Sequence, residues 1–254
     1  MRKRLPTRKL GNQHLWFVIQ PDVRMLRTSD DAGRAITRDE EAALLEACRG
    51  SRSRSLYPAV LIALNTCMRY SELRLLRWSQ VDLNSCTLTV GHSKTESGTG
   101  RVLPLNDRAV AIIGFWASLF PDREPSHFVF PAERYGASGD GLPVVYDSDP
   151  TRPIGRWKEA WESAKSRAGV SCRFHDLRHT GCTRMLEAGI PFSVVASIMG
   201  WSASTTVRMA RRYGHIGQTA QRQAVNALRQ AGIQDDGAQN WAHFQTSRLR
   251  QLAN

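Results

Sequence analysis

The stretch "FHDLRHTG", residues 174–181, places two histidines and an arginine within five positions. In a helix, His175, Arg178 and His179 share one face, because positions three and four apart are neighbours there. Two chemistries can use such a face: a metal site or an anion site. "HDLRH" satisfies H-x-x-x-H, the spacing at which two imidazoles share a zinc ion. Against zinc, the second position is Asp176 rather than glutamate, and no third ligand stands out downstream. Arg178 would also set a permanent cation beside a dication. A polar helix surface with no chemistry is the plain alternative, and for this pentapeptide taken alone it is the favoured one.

The rest of the chain shifts that balance towards an anion. The formal net charge is +12. Residues 167–229 hold nine arginines against two acids, Asp176 and Glu187. Arginine's planar fork suits bidentate contact with phosphate, so the charge pattern points to a nucleic-acid partner. At 254 residues the chain can bury a core unaided, and 41% hydrophobic content is ordinary for a globular protein. No apolar run reaches the roughly 18 residues of a membrane span. The basic start, "MRKRLPTRKL", leads to no signal-peptide core; "LWFVI" at 15–19 is too short. Five cysteines, odd in number and without a C-x-x-C pair, predict a reducing cytoplasm rather than a disulfide framework.

Thr37-Arg38-Asp39-Glu40 reads as a capping box, followed by an amphipathic helix with Ala43, Leu44 and Cys48 inward. After the loop "GSRSRS" (50–55), Pro58 lies in the first turn of the apolar helix "PAVLIALNT". Ser71 to Leu76 predicts a short helix with Leu73, Leu75 and Leu76 inward. "CTLTV" (86–90) and "RVLPL" (101–105) predict a hairpin with a long polar tip. Helices are expected over 107–119 and 152–168, with a Gly/Pro/Asp-rich loop between them. From His175 on, everything reads as helix: 175–188 stopped by Gly189 and Pro191, then 192–199, 204–213 and 219–229.

An anion cage needs cations from elsewhere and a reacting group. Arg69 stands at a helix boundary, where an ion pair with Glu72 is its plain structural role. Lys94 lies at the hairpin tip and otherwise reads as an ordinary surface lysine. Tyr213 follows two arginines, whose positive field is expected to favour phenolate; as a lone tyrosine it would be a packing residue.

In this order Arg69, Lys94, His175-x-x-Arg178, Trp201 and Tyr213 resemble the active-site signature of tyrosine recombinases, the phage integrase family. The flanking text resembles the family too: "MRYSELRLLRWSQVDL" (68–83), "SKTESGTGRVLPL" (93–105) and the block from His175 to His215. The likeness spans about residues 37–230. Three features depart from the common pattern. Cys67 stands where glycine is usual, and Trp201 where many members carry histidine. The spacing from Trp201 to Tyr213 is about one helical turn longer.

The resemblance implies an α+β, mainly helical catalytic domain over 37–232, carrying a small antiparallel sheet or hairpin. Residues 1–36 are then an arm or remnant, 233–254 a tail or exchange segment, and the helical DNA-clamping module usual in the family is expected to be missing. It implies a site-specific recombinase or integrase that breaks and rejoins double-stranded DNA through a phosphotyrosine intermediate, as a homo-tetramer on paired sites. Metal and nucleotide cofactors are expected to be absent, and the setting is the cytoplasm, with the nucleoid. Tyr213 would be the nucleophile, His175 the general base and Lys94 the general acid. Arg69, Arg178 and Trp201 would bind phosphate, and His179 would buttress its helix without chemistry of its own. A short form is expected to bind DNA weakly and cleave poorly. A DNA-binding remnant that interferes with recombination and a type IB topoisomerase are the other readings.

Overall fold

Thr37 caps the first helix as its neighbours predict. Its hydroxyl accepts the Glu40 N–H at 3.1 Å, and the Glu40 carboxylate accepts the Thr37 N–H at 2.9 Å, launching α1 (Arg38–Arg49). The computed structural model describes residues 33–135 and 146–213, with Arg222, Val225 and Asn226. Within α1 the inward stripe is Leu44, Leu45 and Cys48, while Ala43 is exposed rather than buried. Glu41 is also drawn inward, because Arg108 at 3.0 Å and Arg184 pair with its carboxylate.

Helix α2 (Leu56–Thr66) is apolar almost all round and is therefore central. It packs against α1, α4 (Asp107–Ser118) and α6 (Phe174–Glu187). Its end turns at Cys67, whose φ of 55° is left-handed. The short α3 (Tyr70–Arg74) follows, ending earlier than expected; Leu73 and Leu76 are buried, but Leu75 is only half-buried.

The expected hairpin forms from β2 (Thr87–Thr89) and β3 (Val102–Pro104), with Leu88 opposite Leu103. A two-residue strand, β1 (Val81–Asp82), extends it to an antiparallel sheet in the order β1-β2-β3. A second hairpin, β4 (Pro131–Tyr135) and β5 (Tyr146–Pro153), corrects the helix expected over 152–168. Helix α5 begins only at Lys158 and runs to Ala168. Pro153 offers no backbone N–H and disfavours helix at the residue before it.

Between the sheets and α5 the core is aromatic. Trp157 and Trp116 are almost fully buried, and their indole N–H groups donate to Ser55 Oγ at 2.9 Å and to the Val129 carbonyl at 2.6 Å. Helix α6 is capped by Asp176, which accepts the Arg173 N–H at 2.8 Å. Gly189, at φ 77°, ends the turn after it. Two further helices follow, α7 (Phe192–Met199) and α8 (Ala203–Tyr213), separated at Gly200 with φ 57°. The helix expected over 219–229 lies outside the described residues apart from Arg222, Val225 and Asn226, which are helical. The fold is α+β and mainly helical, with small antiparallel sheets. Among the described residues no helix is long and apolar enough to cross a membrane.

Candidate active site

Arg69 caps α3 and is tied down at both ends. Its backbone N–H donates to Glu72 Oε2 at 2.9 Å, and its Nη1 donates to Glu72 Oε1 at 2.7 Å and to Ser93 Oγ at 3.0 Å. The expected pair with Glu72 therefore exists, but it is not isolated. Ser93 and Arg101 both donate to the same carboxylate, at 2.6 Å each. Burial alone would raise the Glu72 carboxyl, yet hydrogen bonds from Arg101, Ser93 and Arg69 hold its pKa at about 2.

Helix α6 delivers Arg178 into the same region, with 3% of its surface exposed. Its guanidinium donates to the backbone carbonyls of Cys67 and Met199, not to a carboxylate. Burial first, and then the Arg69 charge, lower its pKa below the ordinary guanidinium value; Glu72 pulls the other way. Among these residues two guanidinium groups, Arg69 and Arg101, share one carboxylate while Arg178 bonds only backbone carbonyls, which leaves a locally uncompensated positive charge. A charge held this way, already desolvated and fixed, favours an incoming anion.

His175 stands beside this cluster with its ring exposed. Partial desolvation, followed by Arg178, lowers its pKa, so the ring is neutral near pH 7. Its edge meets the His179 ring at 4.9 Å between centroids. His179, assigned no chemistry from the sequence, is the residue that touches Tyr213, with Nδ1 3.1 Å from the phenol oxygen.

The expected phenolate is not found. Burial, then the neighbouring Cys182, push the Tyr213 pKa up to about 12; Arg212 pulls it down but does not win. Three residues away on the sequence side of Trp201, Ile198 joins a small apolar cluster of Cys67, Cys182, Val195 and Met199, and against it pack both Trp201 and Tyr213. Trp201 also packs on Phe192 at 5.7 Å between ring centroids.

Lys94 is exposed at the hairpin tip, one residue from the Ser93 that holds Arg69. The structure thus gathers Arg69, His175 and Arg178, and brings Tyr213 and Trp201 against the same helix α6 or its apolar neighbours. Lys94 is close along the chain to the Arg69 cluster but sits in solvent. Residues the sequence did not single out are Ser93, Arg101 and Cys182. A carboxylate three positions after Arg69 was readable, but nothing local marks Arg101 as its second partner.

The sequence model of the phage integrase family matches residues 34–250. The chain belongs to the phage integrase family. It is 27% identical over 201 residues to an integrase of Salmonella phage P22, covering 77% of this chain and 47% of that protein. It is 29% identical over 197 residues to a shufflon-specific DNA recombinase of Escherichia coli, covering 76% of this chain and 43% of the relative. The chain spans about half the length of these curated relatives. Among solved structures, the catalytic domain of bacteriophage HP1 integrase is similar, with a TM-score of 0.53 at 23% identity over 76% of this chain and 94% of that one. The Tn1549 transposon integrase, solved with circular intermediate DNA, gives a TM-score of 0.56 at 20% identity over 80% of this chain and 69% of that one. These likenesses establish the tyrosine-recombinase catalytic-domain fold.

Two departures from the family pattern gain a physical reading. Cys67 occupies a left-handed position, with φ 55° and ψ 24°, the conformation that glycine adopts without strain. Its carbonyl still faces Arg178. The longer spacing before Tyr213 is taken up as helix, since Ala203 to Tyr213 is continuous α8.

Proposed function

We propose that this phage integrase family chain carries the catalytic unit, residues 37–232, of a site-specific recombinase that breaks and rejoins double-stranded DNA through a phosphotyrosine bond. The observation that carries the reading is the convergence of Arg69 and Arg178 beside the α6 face whose His179 contacts Tyr213. In the reaction the Tyr213 oxygen attacks the DNA phosphorus. One P–O bond forms as the bridging P–O bond to deoxyribose breaks. His175 takes the phenol proton, and Lys94 gives a proton to the departing oxygen. Proton transfers of this kind contribute about 10²–10⁴-fold each. Arg69 and Arg178 stabilise charge on the nonbridging oxygens through charge-assisted hydrogen bonds of roughly 1.5–3 kcal/mol each. Trp201 supports the tyrosine helix and offers an indole N–H to phosphate. The phosphotyrosine bond conserves the energy of the DNA linkage, so a second hydroxyl reseals it without a nucleotide cofactor.

Four copies acting on paired sites at the nucleoid complete the reading, and the DNA found with the Tn1549 integrase supports the choice of partner. The experiment is a covalent trap on a nicked DNA duplex whose cleaved fragment diffuses away. The chain forms a denaturant-stable DNA adduct, and Tyr213→Phe forms none. An adduct that persists in Tyr213→Phe removes this tyrosine from its role. Tight DNA binding without any adduct leaves a binding protein instead.

A further inference from the structure

Arg101, the residue before β3, makes more contacts than an isolated ion pair requires. Its Nη2 donates to Glu72 Oε2 at 2.6 Å and its Nη1 to Glu72 Oε1 at 3.1 Å. The same Nη1 donates to the Gly98 carbonyl at 2.7 Å, and Nε donates to the Ile198 carbonyl at 3.1 Å. The side chain is only 8% exposed. One guanidinium thereby joins three pieces of chain: the buried carboxylate that orients Arg69, the tip of the Lys94 hairpin, and the end of α7.

The backbone around it is packed equally closely. A Cβ at Gly200 would lie 2.9 Å from Gly98 Cα and 3.0 Å from Arg101 Cδ, so the hairpin tip rests directly on the turn before Trp201. The Gly200 carbonyl also lies 3.4 Å from Ser97 Oγ and 3.5 Å from Arg69 Nη2.

We propose that Arg101 is a positioning residue for strand cleavage: it fixes the Lys94 hairpin against the Gly200 turn, and so places Lys94 for its proton transfer. The inference rests on the function proposed above and assigns that site a residue acting through others. Lysine cannot replace this guanidinium, because an ammonium lacks the planar fork needed to reach a carboxylate and two carbonyls at once.

The test uses two DNA substrates, one natural and one in which sulfur replaces the departing bridging oxygen. A thiolate leaves as an anion, so the sulfur substrate needs no proton from Lys94. Covalent-adduct rates are measured for the unaltered chain, Lys94→Ala, Arg101→Lys and Arg101→Gln, with thermal melts alongside. Lys94→Ala, the control, is slow on oxygen and restored on sulfur. Both Arg101 variants are expected to slow cleavage of the oxygen substrate by about 10- to 100-fold, a partial loss of the about 10²–10⁴-fold that a general acid contributes. On sulfur they recover to within a few-fold of the unaltered chain. Equal loss on both substrates, no loss on either, or loss of folding in Arg101→Lys overturns the proposal. Failure of the unaltered chain on both substrates counts instead against the function itself.

Discussion

The Tyr213 hydroxyl lies 3.1 Å from His179 Nδ1, and both groups are held in their neutral forms. Burial, with the neighbours described above, carries the phenol up to about 12, while burial, His175 and Arg212 bring the imidazole down to about 4. Proton transfer within this pair is therefore uphill by many powers of ten, and the contact keeps a neutral phenol in place rather than activating it. On the function proposed above, attack on a phosphate bound by Arg69 and Arg178 exchanges this contact with His179 for one with phosphorus.

The same histidine makes stability depend on pH. The ordinary value of 6.5 falls to about 4 on folding, so between these pH values the unfolded chain binds more protons. Stability is accordingly full above about pH 6.5 and declines as pH falls towards 4. His175, also lowered, acts in the same direction; Asp176 opposes the shift at His179, and Arg173 and Arg212 reinforce it. Allowing for solvent around the ring, the loss attributable to His179 is about 1–2 kcal/mol. Urea unfolding at pH 7 and pH 4.5 measures it, and His179→Asn reduces the difference. An unchanged difference in that variant would show that His179 does not carry it.

Glu72 carries the heaviest structural duty at the site. Its side chain is fully buried between Arg69 and Arg101. Glu72→Gln leaves two guanidinium groups facing a neutral amide, and such broken buried pairs typically cost about 3–5 kcal/mol. A clear fall in the midpoint of urea unfolding at pH 7 is expected. Because the folded pKa is about 2, below the ordinary carboxylate value, the unaltered chain keeps this contribution above about pH 4.5 and loses it only as pH falls towards 2. A variant as stable as the parent at pH 7 would mean the carboxylate is dispensable.

Trp201 separates packing from hydrogen bonding. It is half-buried against Phe192 and the cluster that Tyr213 also touches. Trp201→Phe retains a ring and loses the N–H, so its melt stays close to the parent while adduct formation drops about tenfold, the effect of losing one hydrogen bond to a charged group. Trp201→Ala loses both and costs about 1–3 kcal/mol of stability, less than a fully buried tryptophan would. Equal adduct rates in parent and Phe variant would leave Trp201 a packing residue.

The sequence carried much of this architecture because its signals are local. The Thr37 cap, the apolar α2 and the β2–β3 hairpin depend on neighbouring residues alone, and each forms where expected. The order of Arg69, His175 and Arg178 was readable through family resemblance. What stayed hidden depends on distant partners. Ala43 turns outward and Leu75 is only half-buried because long-range packing, not periodicity, selects the buried face. The β4–β5 hairpin was masked by a polar stretch whose pairing cannot be seen along the chain. The two arginines before Tyr213 suggest a phenolate, but burial and the neighbouring Cys182 outweigh the pull of Arg212.

Cys67 and Gly181 provide a test of how the arginine turn is packed. A Cβ at Gly181 would stand 2.3 Å from Cys67 Sγ, closer than real atoms approach, with the Leu64 carbonyl next at 3.5 Å. Gly181→Ala thus requires either the Cys67 thiol or α6 to shift at the turn whose carbonyl receives Arg178. Overpacking of this kind costs about 1–3 kcal/mol, offset in part by the better helix propensity of alanine. Cys67→Gly removes the sulfur and also suits the left-handed φ of 55°. In that background Gly181→Ala should be nearly neutral, giving a coupling of about 1–2 kcal/mol in a double-mutant cycle of urea midpoints. Additive costs would mean that the thiol and the helix yield independently, and that Gly181 is not there to accommodate Cys67.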